Sequence, residues 1–107
     1  MSKAERISEE IREQKFRIFS EQSGLCFSCH EPMALTEMQL AHRIAQTKPN
    51  LRLWGEAVIH HRKNLRGTHA WCNSKVSLNP YSLEAERLVK EIQRDLKRQK
   101  DFRYRHG

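Results

Sequence analysis

Three cysteines and one histidine have the spacing expected of a zinc site. Cys26 and Cys29 are separated by two residues, and His69 and Cys72 repeat this spacing forty residues later. A two-residue separation lets one tight turn direct two ligands at a single tetrahedral zinc ion. The chain contains three cysteines, an odd number that cannot all pair within it, so zinc ligation is favoured over disulfides. These four residues therefore predict one structural Zn²⁺.

Two alternatives apply to the same residues. The cysteines could be small buried apolar residues without a metal, since free cysteine is often part of a core. His30, which directly follows Cys29, could replace His69 as the fourth ligand. We favour His69, because two adjacent residues rarely reach one ion with good geometry, whereas paired spacing is typical of structural zinc.

Two further segments carry a resemblance to a known family. LAHRI at residues 40–44 and NLRGTHAWCNSK at residues 64–75 resemble the motif of the HNH endonucleases. In that family a CxxC pair is followed by a strand ending in Asp-His, then by an Asn-Leu strand and a second CxxC that runs into Asn. The match spans residues 26–75. It implies a ββα-metal core and a metal-dependent endonuclease that hydrolyses DNA phosphodiester bonds, by nicking or cleaving.

The resemblance also implies roles for individual residues. His42 corresponds to the general base that activates water, and Asn64 to the central asparagine that holds the loop and orients this histidine. Asn73 corresponds to a ligand of the catalytic divalent ion, which would be Mg²⁺, Mn²⁺ or Ni²⁺. The residue types suit the chemistry, because imidazole titrates near neutral pH and a bound cation neutralises charge that develops on the phosphate.

One position departs from the family pattern. Ala41 stands where a metal-ligating residue normally precedes the base. We expect a replacement imidazole from His60 or His61, with His61 preferred, although strand alternation only places these two on opposite faces. If the catalytic metal is lost instead, the chain is a non-catalytic zinc-containing nucleic-acid-binding module. A third interpretation is a protein-interaction adaptor built on two amphipathic helices.

The charge balance favours nucleic acid as the partner. Twenty Lys and Arg residues against thirteen acidic ones give a net charge of +7 and an isoelectric point near 9.7. Such an excess attracts phosphate backbones. We therefore predict DNA as the partner, contacted by basic residues in a loop and near the motif: Lys48, Arg52, Arg62, Lys63, Arg66 and Lys75.

Periodicity and turn residues indicate the elements that position these groups. The N-terminal helix is expected over residues 1–22, where Ile7, Ile11, Ile18 and Phe19 share one face. A long C-terminal helix is expected over residues 82–104, with Ser82 as its N-cap. The core over residues 25–78 is expected to contain strands at 38–44, 58–61 and 65–68, a basic exposed loop at 46–55 and a short helix at 70–76.

These elements predict one α+β domain over residues 1–107, in which a small zinc-stabilised ββα-metal core is flanked by N-terminal and C-terminal amphipathic helices. A chain of this size buries a modest core, so a metal ion would help to stabilise it. No signal peptide or membrane span is evident, and a cytoplasmic protein without a membrane partner is expected. Since one active site cuts one strand, double-strand cleavage would require a homodimer or a larger nuclease assembly.

Overall fold

The structure is a computed structural model that describes residues 2–106, with side chains at all of these positions except 7 and 101–106. In chain order its helices and strands are α1 (Lys3–Glu21), β1 (Gln39–His42), α2 (Lys48–Trp54), α3 (Glu56–Ile59), a 3₁₀ helix (Arg62–Asn64), β2 (Leu65–Thr68), a second 3₁₀ helix (Ala70–Val76) and α4 (Leu83–His106). Strands β1 and β2 form a two-stranded sheet. The predicted α+β class is confirmed.

The chain forms two compact units, and each is built from separate chain segments. Unit 1 contains the residues up to Ala41 together with Leu65–Ser77. Unit 2 contains His42–Asn64 together with the residues from Leu78 onward. The predicted core of residues 25–78 therefore contributes to both units.

In unit 1, α1 begins after Ser2, whose hydroxyl accepts a hydrogen bond from the Glu5 N–H at 3.2 Å. The chain leaves the helix through Ser23 and Gly24, both with left-handed backbone (φ 57° and 70°). The buried core that follows consists of Cys26, Met33, Met38 and Cys72, with Phe19 and Leu40 packed against it. Of the predicted apolar face, Ile18 is buried and Ile11 is exposed, while the Ile7 side chain lies outside the described residues.

Gln22, at the end of α1, is hydrogen bonded to strand β2. Its side-chain oxygen accepts from the Gly67 N–H at 2.8 Å, and its side-chain nitrogen donates to the Gly67 carbonyl at 2.9 Å. Because one amide side chain satisfies both backbone groups of Gly67, the helix end and the strand have a defined register in unit 1.

In unit 2, α4 supplies most of the core. The Ser82 hydroxyl accepts from the Ala85 N–H at 3.1 Å, so Ser82 is the predicted N-cap. The apolar face of α4 then packs against residues from the preceding elements, and the buried set is Ile44, Val58, Ile59, Ala85, Leu88, Val89 and Ile92. Leu88 and Ile92 of this set are four residues apart, the spacing that places apolar side chains on one face of a helix.

Two predicted elements were wrong. The expected loop at residues 46–55 contains α2, which begins where Thr47 accepts from the Asn50 N–H at 3.3 Å and has Pro49 in its first turn. The expected strand at residues 58–61 overlaps α3, a single helical turn. Val58 and Ile59 are adjacent and both buried, which an alternating strand with one core face does not allow.

None of the helices found within residues 2–106 is both long and apolar enough to span a membrane.

Candidate metal centre and histidine pair

The four predicted zinc ligands come together in unit 1. The ligand atoms of Cys26, Cys29, His69 and Cys72 all lie within 4.8 Å of one another. In a tetrahedral site with zinc–sulfur bonds of about 2.3 Å, sulfur atoms are separated by roughly 3.8 Å, so a small contraction closes this cluster around an ion. The four residues could hold a metal ion such as zinc.

A tight turn presents the two cysteines of the first pair. The His30 N–H donates to the Cys26 carbonyl at 2.9 Å, and the Cys26 N–H donates to the Glu31 carbonyl at 2.9 Å. His30 has a left-handed backbone (φ 63°), which reverses the chain directly after Cys29. His30 is not one of the clustered residues, so its contribution is backbone conformation rather than a fourth ligand.

The ring of His69 is oriented by a contact on each side. Its Nε2 lies 3.2 Å from the Pro32 carbonyl oxygen, and its Nδ1 lies 3.4 Å from the Cys29 sulfur. A carbonyl can only accept, so Nε2 carries the proton and donates it, and Nδ1 keeps the lone pair that a metal needs. Trp71 stacks on the ring with centroids 4.5 Å apart.

The acidities of the thiols fit a cation in this cluster. Burial acts to raise the pKa of Cys26, but backbone N–H groups of Cys29, His69 and Ser28, with the His69 ring, lower it to about 6. Burial raises the pKa of Cys72, and the neighbouring Cys26 and Cys29 raise it further. Three thiolates at this separation repel one another, and a bound divalent cation removes that repulsion.

In unit 2, His42 and His60 form a direct contact. The Nε2 atom of His42 lies 3.2 Å from Nδ1 of His60, and the rings meet edge to face at 77°. Burial, and secondarily the nearby His60, lower the pKa of His42 from its ordinary value of 6.5. His42 is therefore neutral at neutral pH and can accept a proton.

His61 has a different set of partners. Its Nδ1 accepts the Lys63 N–H at 3.0 Å, and its Nε2 lies 2.9 Å from a carboxylate oxygen of Asp95. Both ring nitrogens are thus engaged, one as acceptor and the other as donor. His61 connects the turn after α3 to helix α4, and its neighbour His60 is the residue that contacts His42.

Asn64 holds the backbone on both sides of the histidine pair. It is fully buried, and its side-chain oxygen accepts the Ile44 N–H at 2.8 Å. Its side-chain nitrogen donates to the carbonyls of Ile44 at 3.0 Å and Ile59 at 2.8 Å. Ile44 lies two residues after His42 and Ile59 lies directly before His60, so one side chain fixes both segments.

The two positions that the resemblance links to the catalytic metal differ in their chemistry. Asn73 directly follows the candidate ligand Cys72, and its side-chain nitrogen donates to Gln39 at 3.3 Å, which leaves its amide oxygen outside that bond. Ala41 is buried, with 1% exposure, and has no donor atom. Of these two positions, only Asn73 offers an atom that can bind a metal.

The predicted DNA-contacting residues lie on several elements. Lys48 and Arg52 are exposed on α2, and Lys75 is exposed on the second 3₁₀ helix. Arg66 stacks its guanidinium over Phe27 at 5.1 Å. Lys63 forms an ion pair with Glu91 at 3.4 Å, and Arg62 in the first 3₁₀ helix is partly buried.

The charge excess belongs to one unit. Unit 2 contains thirteen of the twenty Lys and Arg residues and six of the thirteen acidic residues, whereas unit 1 contains seven of each. The whole net charge of +7 is therefore carried by unit 2. The sequence alone did not reveal this division, because charge was counted over the whole chain and the basic residues of α4 were not among the predicted DNA contacts.

Comparison of the chain with protein-family models, with curated proteins and with solved structures finds no match in any of the three.

Proposed function

We propose that this chain is a metal-dependent HNH-type endonuclease that hydrolyses DNA phosphodiester bonds, with His42 as the general base. The observation that carries the proposal is the arrangement of the buried Asn64, whose side chain holds the backbone beside both His42 and His60. The resemblance assigns this holding role to the central asparagine. A half-buried neutral imidazole fixed in this way suits proton abstraction from water.

The contact between His42 and His60 indicates which nitrogen of His42 accepts the proton from water. When Nε2–H of His42 donates to Nδ1 of His60, the other nitrogen of His42 keeps its lone pair and accepts the proton of the attacking water. His60 then stabilises the imidazolium that forms, by accepting from it. In this proposal His42 is the catalytic base and Asn64 is a positioning residue.

A divalent cation would supply charge neutralisation at the scissile phosphate when bound. Neither of the two histidines considered as replacement ligands has a lone pair to offer in this tautomer, because both nitrogens of His61 are engaged by Lys63 and Asp95, and His60, which accepts through Nδ1, carries its own proton on Nε2. His60 could bind the cation through Nε2 only in the opposite tautomer, in which its Nδ1 donates to His42 and His42 has no lone pair left with which to act as the base. The resemblance alone supports Asn73, which lies in unit 1, as a ligand of this cation.

The Cys₃His cluster is assigned to structural zinc in this proposal. All four tetrahedral positions would be filled by protein ligands, which leaves no position for water, as is usual in structural sites. The proposal keeps the predicted ββα-metal core with one difference, because the helical segment after β2 is a 3₁₀ helix. Its ligand Cys72 and the predicted ligand Asn73 are adjacent within that segment.

Plasmid nicking tests the proposal directly. Supercoiled DNA is incubated with the protein and Mg²⁺, Mn²⁺ or Ni²⁺, and the conversion to nicked circles is followed for wild type, His42→Ala and His30→Asn. We expect His42→Ala to abolish nicking and His30→Asn, at an exposed position with left-handed backbone that asparagine tolerates, to preserve it. Equal nicking by wild type and His42→Ala would refute the assignment.

Two observations favour the alternative, a zinc-containing nucleic-acid-binding module without catalysis. The buried Ala41 offers no metal ligand before His42, while unit 2 carries the full net charge. Under this alternative, wild-type protein binds DNA in a salt-dependent manner but does not nick plasmid with any of the three cations.

A further inference from the structure

A pocket with an aromatic wall lies at the start of α4 in unit 2. Its volume is about 360 Å³, and its lining includes Trp54, Pro80, Tyr81, Glu86, Lys90 and Gln93. Trp54 packs partly against the core, whereas Tyr81 is 87% exposed. The exposed Tyr81 ring therefore contributes little to the core, although it borders a pocket.

A row of basic residues continues from this pocket along α4. Lys90 and Gln93 also line a second, shallower groove together with Arg94 and Lys97. Residues at these spacings lie on one face of a helix. We call the pocket and the groove together the α4 surface.

The acidic residues of α4 lie mainly on another side of the helix and have partners there. Three of them pair with residues from other segments of unit 2, as Glu84 with Arg43, Glu91 with Lys63 and Asp95 with His61. Glu86, the fourth acidic residue of α4 whose side chain the structure describes, borders the pocket and pairs with Lys90 at 3.0 Å. Among the side chains that the structure describes, Arg94 and Lys97 form no ion pair, so the charge on this surface is positive.

An exposed aromatic ring beside a basic groove suits a single nucleic-acid strand. Proteins that bind single strands combine basic residues along the backbone with aromatic side chains on which bases stack. In a duplex, the bases are paired and stacked on each other, and they cannot reach an aromatic pocket. A membrane is a less suitable partner for the α4 surface, because the apolar face of α4 is buried in the core and is not available for insertion.

We infer that the α4 surface binds single-stranded DNA, with an unpaired base stacked at Tyr81 and Trp54 and the phosphates along Lys90, Arg94 and Lys97. The choice of DNA rests on the proposed function, and the inference adds that the substrate is single-stranded or locally unpaired. A phosphate at Lys90 would compete with Glu86, whereas Arg94 offers a guanidinium without such a competitor.

Fluorescence anisotropy with labelled oligothymidine and with a labelled duplex tests the inference. No divalent ion is added, so that cleavage does not interfere, and the buffer contains no EDTA, so that structural zinc is retained. We expect Tyr81→Ala to weaken oligothymidine binding by on the order of five- to a hundredfold and to leave duplex binding almost unchanged. Tyr81→Phe should bind oligothymidine like wild type, because stacking needs only the ring.

The basic row is tested by the salt dependence of the same binding. Lys90→Gln combined with Arg94→Gln should reduce the slope of log affinity against log salt by about 1.4, because two phosphate contacts are lost. Arg6→Gln combined with Arg12→Gln, at exposed positions of α1 in unit 1, removes the same charge and should leave the slope unchanged.

The fluorescence of Trp54 provides a second readout. In a Trp71→Phe background Trp54 is the single tryptophan, and saturation with oligothymidine should quench its emission. Unaltered emission at saturation would overturn the inference, as would a Tyr81→Ala variant that binds oligothymidine like wild type or loses duplex binding equally. Polyglutamate could also displace oligothymidine equally well from wild type and from Tyr81→Ala. That result would indicate charge attraction alone and would overturn the inference as well.

The two proposals fail separately in these experiments. A protein that nicks plasmid through His42 but binds oligothymidine without regard to Tyr81 refutes the α4 surface alone. A protein that cuts neither supercoiled plasmid nor single-stranded circular DNA with any of the three cations, yet binds single strands through Tyr81, refutes the endonuclease and keeps the surface.

Discussion

His42 and His60 share one short contact, 3.2 Å between Nε2 of the first and Nδ1 of the second, although eighteen residues separate them in the chain. At this distance one nitrogen donates and the other accepts, so the pair is arranged to hold a single added proton. Two added protons would place like charges side by side, which is why His60 contributes to the lowered pKa of His42.

The lowered pKa of His42 predicts a stability that falls in mild acid. Burial disfavours the charged imidazole in the folded state, so the unfolded chain binds the proton more readily. This contribution is present above the ordinary pKa of 6.5 and is lost as the pH falls from there through the lower folded value. Urea unfolding without added divalent ions, across pH 5 to 8 (about the range in which histidine titrates), should show this loss. His42→Gln should flatten this dependence, and an unchanged profile would contradict the assignment.

Metal removal should destabilise unit 1, which contains the Cys₃His cluster. Cys26 and Cys72 are both candidate zinc ligands and members of the buried core of unit 1, so loss of a bound ion would leave buried thiols in place of metal–sulfur bonds. We expect one zinc per chain by elemental analysis and a lower melting temperature after treatment with phenanthroline or in Cys72→Ser. His30→Asn, beside Cys29 but outside the cluster, is the control that should retain zinc. A metal-free protein with an unchanged melting temperature would exclude the site.

Gly67 is predicted to be intolerant of alanine because of close packing. A Cβ atom at this position would collide with the Met38 side chain and approach the side-chain nitrogen of Gln22 to 3.4 Å. Gly67→Ala should cost about 1 to 3 kcal/mol of unfolding free energy, the usual range for an overpacked core. Met38→Ala makes room, so the added cost of Gly67→Ala should shrink in the double variant. Additive losses in chemical denaturation would show that crowding is not the cause.

Features carried by local sequence could be predicted, and they include most of the metal cluster. The paired spacings of Cys26 with Cys29 and of His69 with Cys72 identify the four clustered candidate ligands without any knowledge of tertiary structure. The Ser82 cap and the apolar spacing of α4 are local in the same sense. Strand β2 was also placed correctly at Leu65–Thr68.

Features that depend on packing could not be predicted in the same way. The short apolar segment at Val58 and Ile59 fits a strand or a helical turn equally well, and only burial of both side chains distinguishes them. The preference for His61 rested on the same assumed strand, whereas α3 ends at Ile59 and the turn after it directs His60 to His42 and His61 to Asp95. In contrast, the helix α2 had a local signal in Thr47 and Pro49, which was overlooked.

Asn64 should be the residue whose loss affects stability and activity together. Replacement by alanine removes three hydrogen bonds and leaves the Ile44 N–H and the carbonyls of Ile44 and Ile59 buried without this partner. Each unsatisfied buried group costs about 1 to 3 kcal/mol, so Asn64→Ala should lower the unfolding free energy by roughly 3 kcal/mol or more. Asn79→Ala, which removes an exposed hydrogen bond to the Tyr81 N–H, is the matched control and should cost less than about 1 kcal/mol.

The positioning role of Asn64 can be separated from its structural role by measuring activity at a temperature at which the variant is still folded. At a temperature where Asn64→Ala is still folded by circular dichroism, its nicking rate should fall while its affinity for DNA, measured without divalent ions, stays near that of wild type. The reason is that the basic side chains of α4 do not depend on the Asn64 hydrogen bonds, whereas the orientation of His42 does. A folded Asn64→Ala protein that nicks at the wild-type rate would show that the asparagine only stabilises unit 2 and that the orientation of His42 does not depend on it.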